Sequence, residues 1–284
     1  MLDKVNSVFD RNISRLPSTT IRYDHKFVLP FEHSLDHVGI TYYMQTYWHL
    51  TVYLGIFYLL SMKWLQKWME SRKPFNLKGA LICWNGGLAI FSILGALRTS
   101  EEFIHTVTKE GFYPSLCQCF DPPSVSGHWF LFFGISKIVE LGDTVFLVLK
   151  KKPLSFLHSW HHFSVLIYTF HSGSEYLAAG RWFMWMNFIA HSLMYSYFTI
   201  MAMGFKVSKS FARIVTIVQI LQMIIGVSVS FAILTIKKYF ELPCQQSNAN
   251  LYLSFVIYTS YMILFINFFI QAYCISRPKK EKSS

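Results

Sequence analysis

Lys137-Ile-Val-Glu140-Leu-Gly-Asp143-Thr144, His158-Ser-Trp-His161-His162, Asn187-Phe-Ile-Ala-His191 and Met194-Tyr195-Ser-Tyr197 all fall within residues 137–198, inside apolar stretches of membrane-crossing length. Hydrocarbon solvates ionisable side chains poorly. An Asp, Lys or Arg at the centre of an inserted helix costs roughly 2.5–3.5 kcal/mol on insertion scales. Lys137, Glu140 and Asp143 therefore carry a joint penalty on the order of several kcal/mol, softened by pairing and water. A chain keeps such a cluster where it faces a protein interior that uses it. Chemistry on a lipid is the use that fits.

Working outward, the chain is 53% hydrophobic and 18% aromatic but only 14% charged, with a mean hydropathy of +0.34. Soluble domains carry about 25% charged residues, so a membrane protein is expected. The first ~45 residues are polar and hold no cleavable signal; the first long apolar run, near Thr46, would act as a signal anchor. Seven apolar segments, about 46–63, 79–97, 128–149, 154–171, 182–203, 211–234 and 251–274, each approach the ~20 residues that cross a bilayer. The predicted class is all-α and polytopic, with seven transmembrane helices. The expected division is a lumenal tail over 1–45, a membrane domain over 46–275 and a cytosolic tail over 276–284.

The net charge of +11 is spread in short clusters between apolar runs, which argues for membrane topology and against nucleic acid. With the N-terminus lumenal and the C-terminus cytosolic, cytosolic segments hold fifteen Lys and Arg and lumenal loops five. Asn12-Ile-Ser14 is a glycosylation acceptor on the lumenal side. The terminal Lys280-Glu-Lys282-Ser-Ser follows the Lys-x-Lys-x-x pattern of endoplasmic reticulum retrieval signals. Cys117, Cys119 and Cys244 fall in lumenal loops, an oxidising compartment. A disulfide from Cys244 to Cys117 or Cys119 is expected, with Cys83 and Cys274 as packing residues.

Lys137, Glu140 and Thr144 share one face of a helix by their i, i+3, i+7 spacing, with Asp143 rotated by about 60°. A buried ion pair that fixes helix register would explain Lys137 and Glu140 but not Asp143. His158, His161 and His162 also share a face, and three histidines in five residues are more than packing requires. Tyr195 lies one turn beyond His191 and two beyond Asn187. Thr216, Gln219 and Gln222 lie just inside Arg213. Counted at 1.5 Å per residue from the basic boundaries, polar groups of four spans fall in the cytosolic half and middle of the bilayer. One shared buried site is the economical reading. His128 is expected to cap the lumenal end of the third span, and His25, His33 and His37 have no chemical partner in the sequence.

These motifs resemble those of the fatty acid elongases, membrane-embedded 3-ketoacyl-CoA synthases of the endoplasmic reticulum. That family shows K-x-x-E-x-x-D-T, H-x-x-H-H, N-x-x-x-H-x-x-M-Y and T-x-x-Q-x-x-Q. Here they read Lys137…Glu140…Asp143-Thr144, His158…His161-His162, Asn187…His191…Met194-Tyr195 and Thr216…Gln219…Gln222. Phe91-Ser-Ile-Leu-Gly-Ala-Leu-Arg98 and Gly180-Arg-Trp-Phe-Met look like the subgroup acting on saturated and monounsaturated chains. Trp160 and Phe198 depart from the usual Tyr or Phe and Tyr, which bears on chain-length preference. The resemblance implies seven helices, six enclosing an acyl tunnel open to the cytosol. It also implies the reaction: acyl-CoA and malonyl-CoA give 3-ketoacyl-CoA, CO₂ and CoA, with no cofactor or metal. Other enzymes of the elongation cycle are expected partners, and a homodimer is possible.

Such a condensation needs an acyl acceptor, stabilisation of an enolate and an anion site. No Cys lies beside the histidines, so His161 or His162 is the expected nucleophile. A neutral imidazole is the reactive form, and burial favours it. His191 is the second catalytic imidazole, and Lys137, Glu140 and Asp143 would hold the rings. Asn187 and Tyr195 would donate hydrogen bonds, and Lys150, Lys151, Lys152, Lys206, Lys209 and Arg213 would meet the CoA phosphates. The rivals are a di-iron desaturase or hydroxylase, since imidazole is a good iron ligand, a seven-span receptor, and a lipid transporter. The desaturase would bring more histidine boxes. The receptor would carry a D/E-R-Y triplet after its third span and an N-P-x-x-Y in its seventh, and neither is present.

Overall fold

A computed structural model describes residues 20–33 and 35–275; the Asn12 sequon and the 276–284 tail lie outside them. Among the described residues the chain is helical, with one isolated bridge between Ile21 and Phe120 and no strand. Helix α1 is His37–Tyr47, α2 Leu50–Met69, α3 Lys78–His105, α4 Phe112–Cys117, α5 Val125–Val139, α6 Gly142–Leu149, α7 Phe156–Ser174, α8 Gly180–Met203, α9 Lys209–Lys238 and α10 Asn248–Phe269. All seven predicted spans are helical. Three rods are long and apolar enough by themselves to cross a membrane: Lys78–Glu110, Lys209–Lys238 and Asn248–Cys274. Polar groups mark the other four, such as Lys63 and Lys67 in α2 and three histidines in α7. The chain is read as a multi-pass membrane protein.

The third predicted span is not one helix. It breaks between Val139 and Gly142, where Leu141, Asp143 and Thr144 take three-residue turns to Ile138, Glu140 and Leu141. Ser136 bonds the Phe133 carbonyl and the Glu140 carboxylate, a side-chain competition that bends helices. A Cβ at Gly142 would sit 2.6 Å from the Trp84 ring, so only glycine admits that indole.

The α3 and α8 rods lie antiparallel in close contact. Gly95 meets Phe188, Ser100 accepts from the Trp185 indole at 2.8 Å, and Phe103 stacks on Trp185 at 4.1 Å. The α9 and α10 rods pair likewise, through Ser230 and Ser254 at 2.9 Å and through Gly226 against Tyr258.

Part of the segment expected as a free tail is folded onto this bundle. Ile21 pairs with Cys119 and Asp121, and Glu32 pairs with Arg98 at 2.8 Å. The expected cap role of His128 is corrected: Ser124 caps α5, and His128 instead bonds His37 at 2.7 Å across 91 residues. Burial, then the neighbouring His128, lowers the His37 pKa to about 4. Of the two cysteine pairings left open, the structure joins Cys117 to Cys244. Cys119 is a buried free thiol whose pKa burial pushes up to about 12. Cys83 and Cys274 are exposed on the bundle surface, not packed within it.

Candidate active site

Helix α7 is capped by Ser155, whose backbone is extended and whose hydroxyl accepts the His158 N–H at 3.2 Å. This cap sets the phase of the three histidines. His158 and His162 stand 4.3 Å apart by ring centroids, one turn apart on one side. His161 is rotated from His162 by one residue, and their rings are perpendicular at 5.3 Å. Of the three, His161 alone lines the internal cavity.

That cavity lies among α5, α7, α8, α9 and α10. At one end stand His161, Asn187 and Gln222; Phe130, Phe133 and Phe183 form much of the wall. On α7 the lining runs from His161 to Ser172, eleven residues or about 16 Å of helix. It is a narrow, largely apolar slot with an imidazole near one end. Its lining comes from α5, α7, α8, α9, α10 and the turn after α7, and none of it from α3.

Around His161 the polar residues assemble from three rods. Lys137 donates to both Glu140 oxygens at 2.8 and 3.1 Å and to the Asn187 carbonyl oxygen at 2.8 Å. The Asn187 amide lies 3.2 Å from His191 Nε2, and Glu140 lies 3.6 Å from His191 Nδ1. The buried ion pair thus orients an asparagine, and the asparagine faces both the cavity and the second imidazole.

The helix break sends the next two motif residues elsewhere. Asp143 accepts from Trp84 Nε1 at 2.6 Å and from the Tyr195 hydroxyl at 2.7 Å, and holds no histidine. Thr144 instead bonds His158 Nε2 at 2.8 Å and Tyr58 at 2.7 Å. Gln222 lines the cavity, while Gln219 reaches Met194 at 3.3 Å and Thr216 reaches Tyr273 at 3.3 Å. Lys150 is half-buried and Lys151, Lys152, Lys206, Lys209 and Arg213 are exposed. They lie at the ends of α6, α8 and α9, beyond the histidine end of the slot. Lys151 is tied to the Glu70 carbonyl at 3.0 Å and Arg213 lies over the Tyr273 ring.

Tyr58, Trp84, Ser136 and Tyr261 were not singled out from the sequence. Tyr261 sits 5.0 Å from the His161 ring and bonds Ser164 at 2.7 Å. A mid-span Trp such as Trp84 needs a partner for its N–H when buried, and that was the one available signal. Among the described residues, no three His, Cys, Asp or Glu side chains are grouped to hold a metal ion.

The model of the ELO (GNS1/SUR4) family matches residues 43–283. The chain belongs to the ELO family. It is 48% identical over 264 residues to the putative fatty acid elongase 4 of Caenorhabditis elegans, covering 93% of this chain and 91% of the relative. It is 39% identical to the very long chain fatty acid elongase 6 of Drosophila melanogaster, over 91% of this chain and 83% of that protein. The human very long chain fatty acid elongase 3 is 40% identical over 85% of this chain and 89% of its own length.

Proposed function

We propose that this protein condenses long-chain acyl-CoA with malonyl-CoA at the His161 end of the slot. It is a fatty acid elongase, an acyltransferase of the 3-ketoacyl-CoA synthase type. The observation that carries the mechanism is a cavity lined by His161 with Asn187 and Gln222 at one end and an aromatic wall beyond.

In the first step one nitrogen of a neutral His161 ring attacks the thioester carbon, the C–S bond breaks, and the proton on the ring's other nitrogen passes to the CoA sulfur, which leaves as a thiol. The acyl chain then lies along the apolar slot as an acyl-imidazole. Malonyl-CoA loses CO₂, and the resulting enolate attacks the acyl carbon, breaking its bond to the ring, which takes up a proton from water and returns to neutral imidazole. In this reading the second amide hydrogen of Asn187, an asparagine held by Lys137 and His191, serves the enolate oxygen; preorganised donors of this kind are commonly the largest catalytic contribution. Tyr195, held by Asp143, packs edge-on against His191, Thr144 braces His158, Gln222 completes the polar end of the slot, and Gln219 holds Met194 behind it. Lys150, Lys151, Lys152, Lys206, Lys209 and Arg213 meet the CoA phosphates.

In the same reading seven rods cross the endoplasmic reticulum membrane, with the N-terminus lumenal and the 276–284 tail cytosolic. Mass spectrometry of the protein incubated with acyl-CoA, without malonyl-CoA, tests the covalent step. One acyl mass on His161 is expected. No acyl adduct on any histidine, with turnover intact, overturns it.

A further inference from the structure

We infer that the loop 244–247, centred on Gln245, sets the longest acyl chain the slot accepts, by clamping its closed end. The inference rests on the acyl-binding reading above. The end of the slot remote from His161 is formed by Ser172, Leu177 and Gly180. Behind them the turn from Tyr176 to Ala179 is sealed, with exposures of 2, 1, 0 and 0%. Tyr176 holds a φ of +50°. A bulky side chain adopts that left-handed conformation only where its surroundings impose it.

The imposing groups come from about 70 residues away. The Gln245 carbonyl accepts the Ala178 N–H at 3.2 Å, and its side-chain amide donates to the Tyr176 carbonyl at 3.4 Å. Ser247 donates its hydroxyl and its N–H to Glu175 at 2.6 and 3.2 Å. The loop is anchored in turn. The Gln245 N–H donates to the Cys117 carbonyl at 3.0 Å, and the adjacent Cys244 is disulfide-bonded to Cys117.

The floor of the slot is therefore a strained turn held by a covalently tethered clasp. Gln245 itself is buried but does not line the slot. It is a positioning residue for length selectivity. A merely structural residue in its place would, when altered, lower turnover of every chain length alike. A floor clamp changes the length profile.

The test uses the full-length protein in nanodiscs, malonyl-CoA and a graded series of saturated acyl-CoAs. Gln245→Ala and the pair Cys117→Ser/Cys244→Ser are expected to raise the longest accepted chain by at least one two-carbon step. The gain at that length should be about tenfold, in the range that one or two methylenes command, with turnover of shorter chains unchanged. Leu177→Phe, which fills the floor directly, lowers the limit. Should the cysteine pair fail to fold, Gln245→Ala decides. An unchanged profile in Gln245→Ala, or an equal loss at all lengths, overturns the clamp. An unchanged profile in Leu177→Phe overturns the floor. Absence of condensation by the unaltered protein overturns the functional reading, and this inference with it.

Discussion

Glu32 and Glu140 are two of the carboxylates that lie buried beside a cation in this molecule, at 0 and 2% exposure, and they do different work. Glu32 receives Arg98 Nε and Nη2, Trp129 Nε1 and the Leu29 N–H, all at 2.8 Å. Glu140 receives Lys137 and Ser136 at hydrogen-bond distance, but His191 stands off at 3.6 Å. Its Lys137 is shared with Asn187, which faces the slot. The first carboxylate is saturated by rigid donors and staples the 20–47 segment to α3 and α5. The second is left with a histidine near enough to respond to charge at a site where charge would develop. Full satisfaction marks the staple, and a shared, adjustable partner marks the site.

The largest effect that could break this contrast is at the slot. His161→Ala should lower condensation by at least about 10³-fold, the scale on which losing a nucleophile is felt. Its thermal midpoint in detergent should stay near that of the unaltered protein, and the acyl adduct should vanish. A variant with most of its activity would remove His161 from the mechanism.

At the staple the expected signs are reversed. Glu32→Ala leaves Arg98 with the Phe27 carbonyl and the more distant Glu101, so the loss should stay below the about 3–5 kcal/mol of a fully buried pair broken on one side. The thermal midpoint should drop, while the kcat of the folded fraction should be unchanged. A large loss of kcat at an unaltered midpoint would mean that the two carboxylates do not divide the labour.

Acid should strike the same region. Burial alone would raise the Glu32 pKa, but Arg98, Leu29 and Trp129 outweigh it and hold it below the usual value of 4.5. Its contribution is present above that value and is lost as the pH falls further. His37 is held neutral, with its pKa lowered from 6.5 to about 4, so the unfolded chain binds the proton first. Stability is then lost as the pH falls from 6.5 towards 4, by at most about 3 kcal/mol. Thermal midpoints measured across this range should decline, and His37→Gln should flatten the slope above pH 4.5. An equal slope in that variant would assign the effect elsewhere.

The same pair of regions explains what could be read in advance. The Lys137–Glu140 bond joins residues three apart on a helix, so spacing alone exposes it. The histidine box and the Asn187–His191 pair are legible for the same reason. Glu32 and Arg98 are 66 residues apart and His37 and His128 are 91 apart; no periodicity connects them, and only packing does. The break at Gly142 is the instructive failure. A continuous helix puts Thr144 on the Glu140 face, whereas the real turn redirects Thr144 to His158 and Asp143 to Trp84 and Tyr195. The Ser136 competition that bends the helix is local, but the indole of another rod lying against Gly142 is tertiary and leaves only a single Gly in the sequence.

The finest comparison sets the two Thr144 hydrogen bonds at the site against one at the staple. Thr144 links Tyr58 to His158; when it donates to His158 Nε2, Tyr58 donates to it and the imidazole carries its proton on Nδ1. Thr144→Val keeps the shape and removes both bonds, which typically costs about 1–2 kcal/mol. Because the ring it releases packs on His162, next to the slot-lining His161, that cost should fall on kcat, about tenfold, with little change in KM, and Thr144→Ser should restore most of it. Trp129→Phe removes one of the four donors to Glu32 and should cost a similar energy. There it should be read entirely in the thermal midpoint, because the staple has no reacting group to misplace. If Trp129→Phe lowers kcat as Thr144→Val does, the strain is travelling through α5 from the staple to Lys137, and the two carboxylates belong to one network.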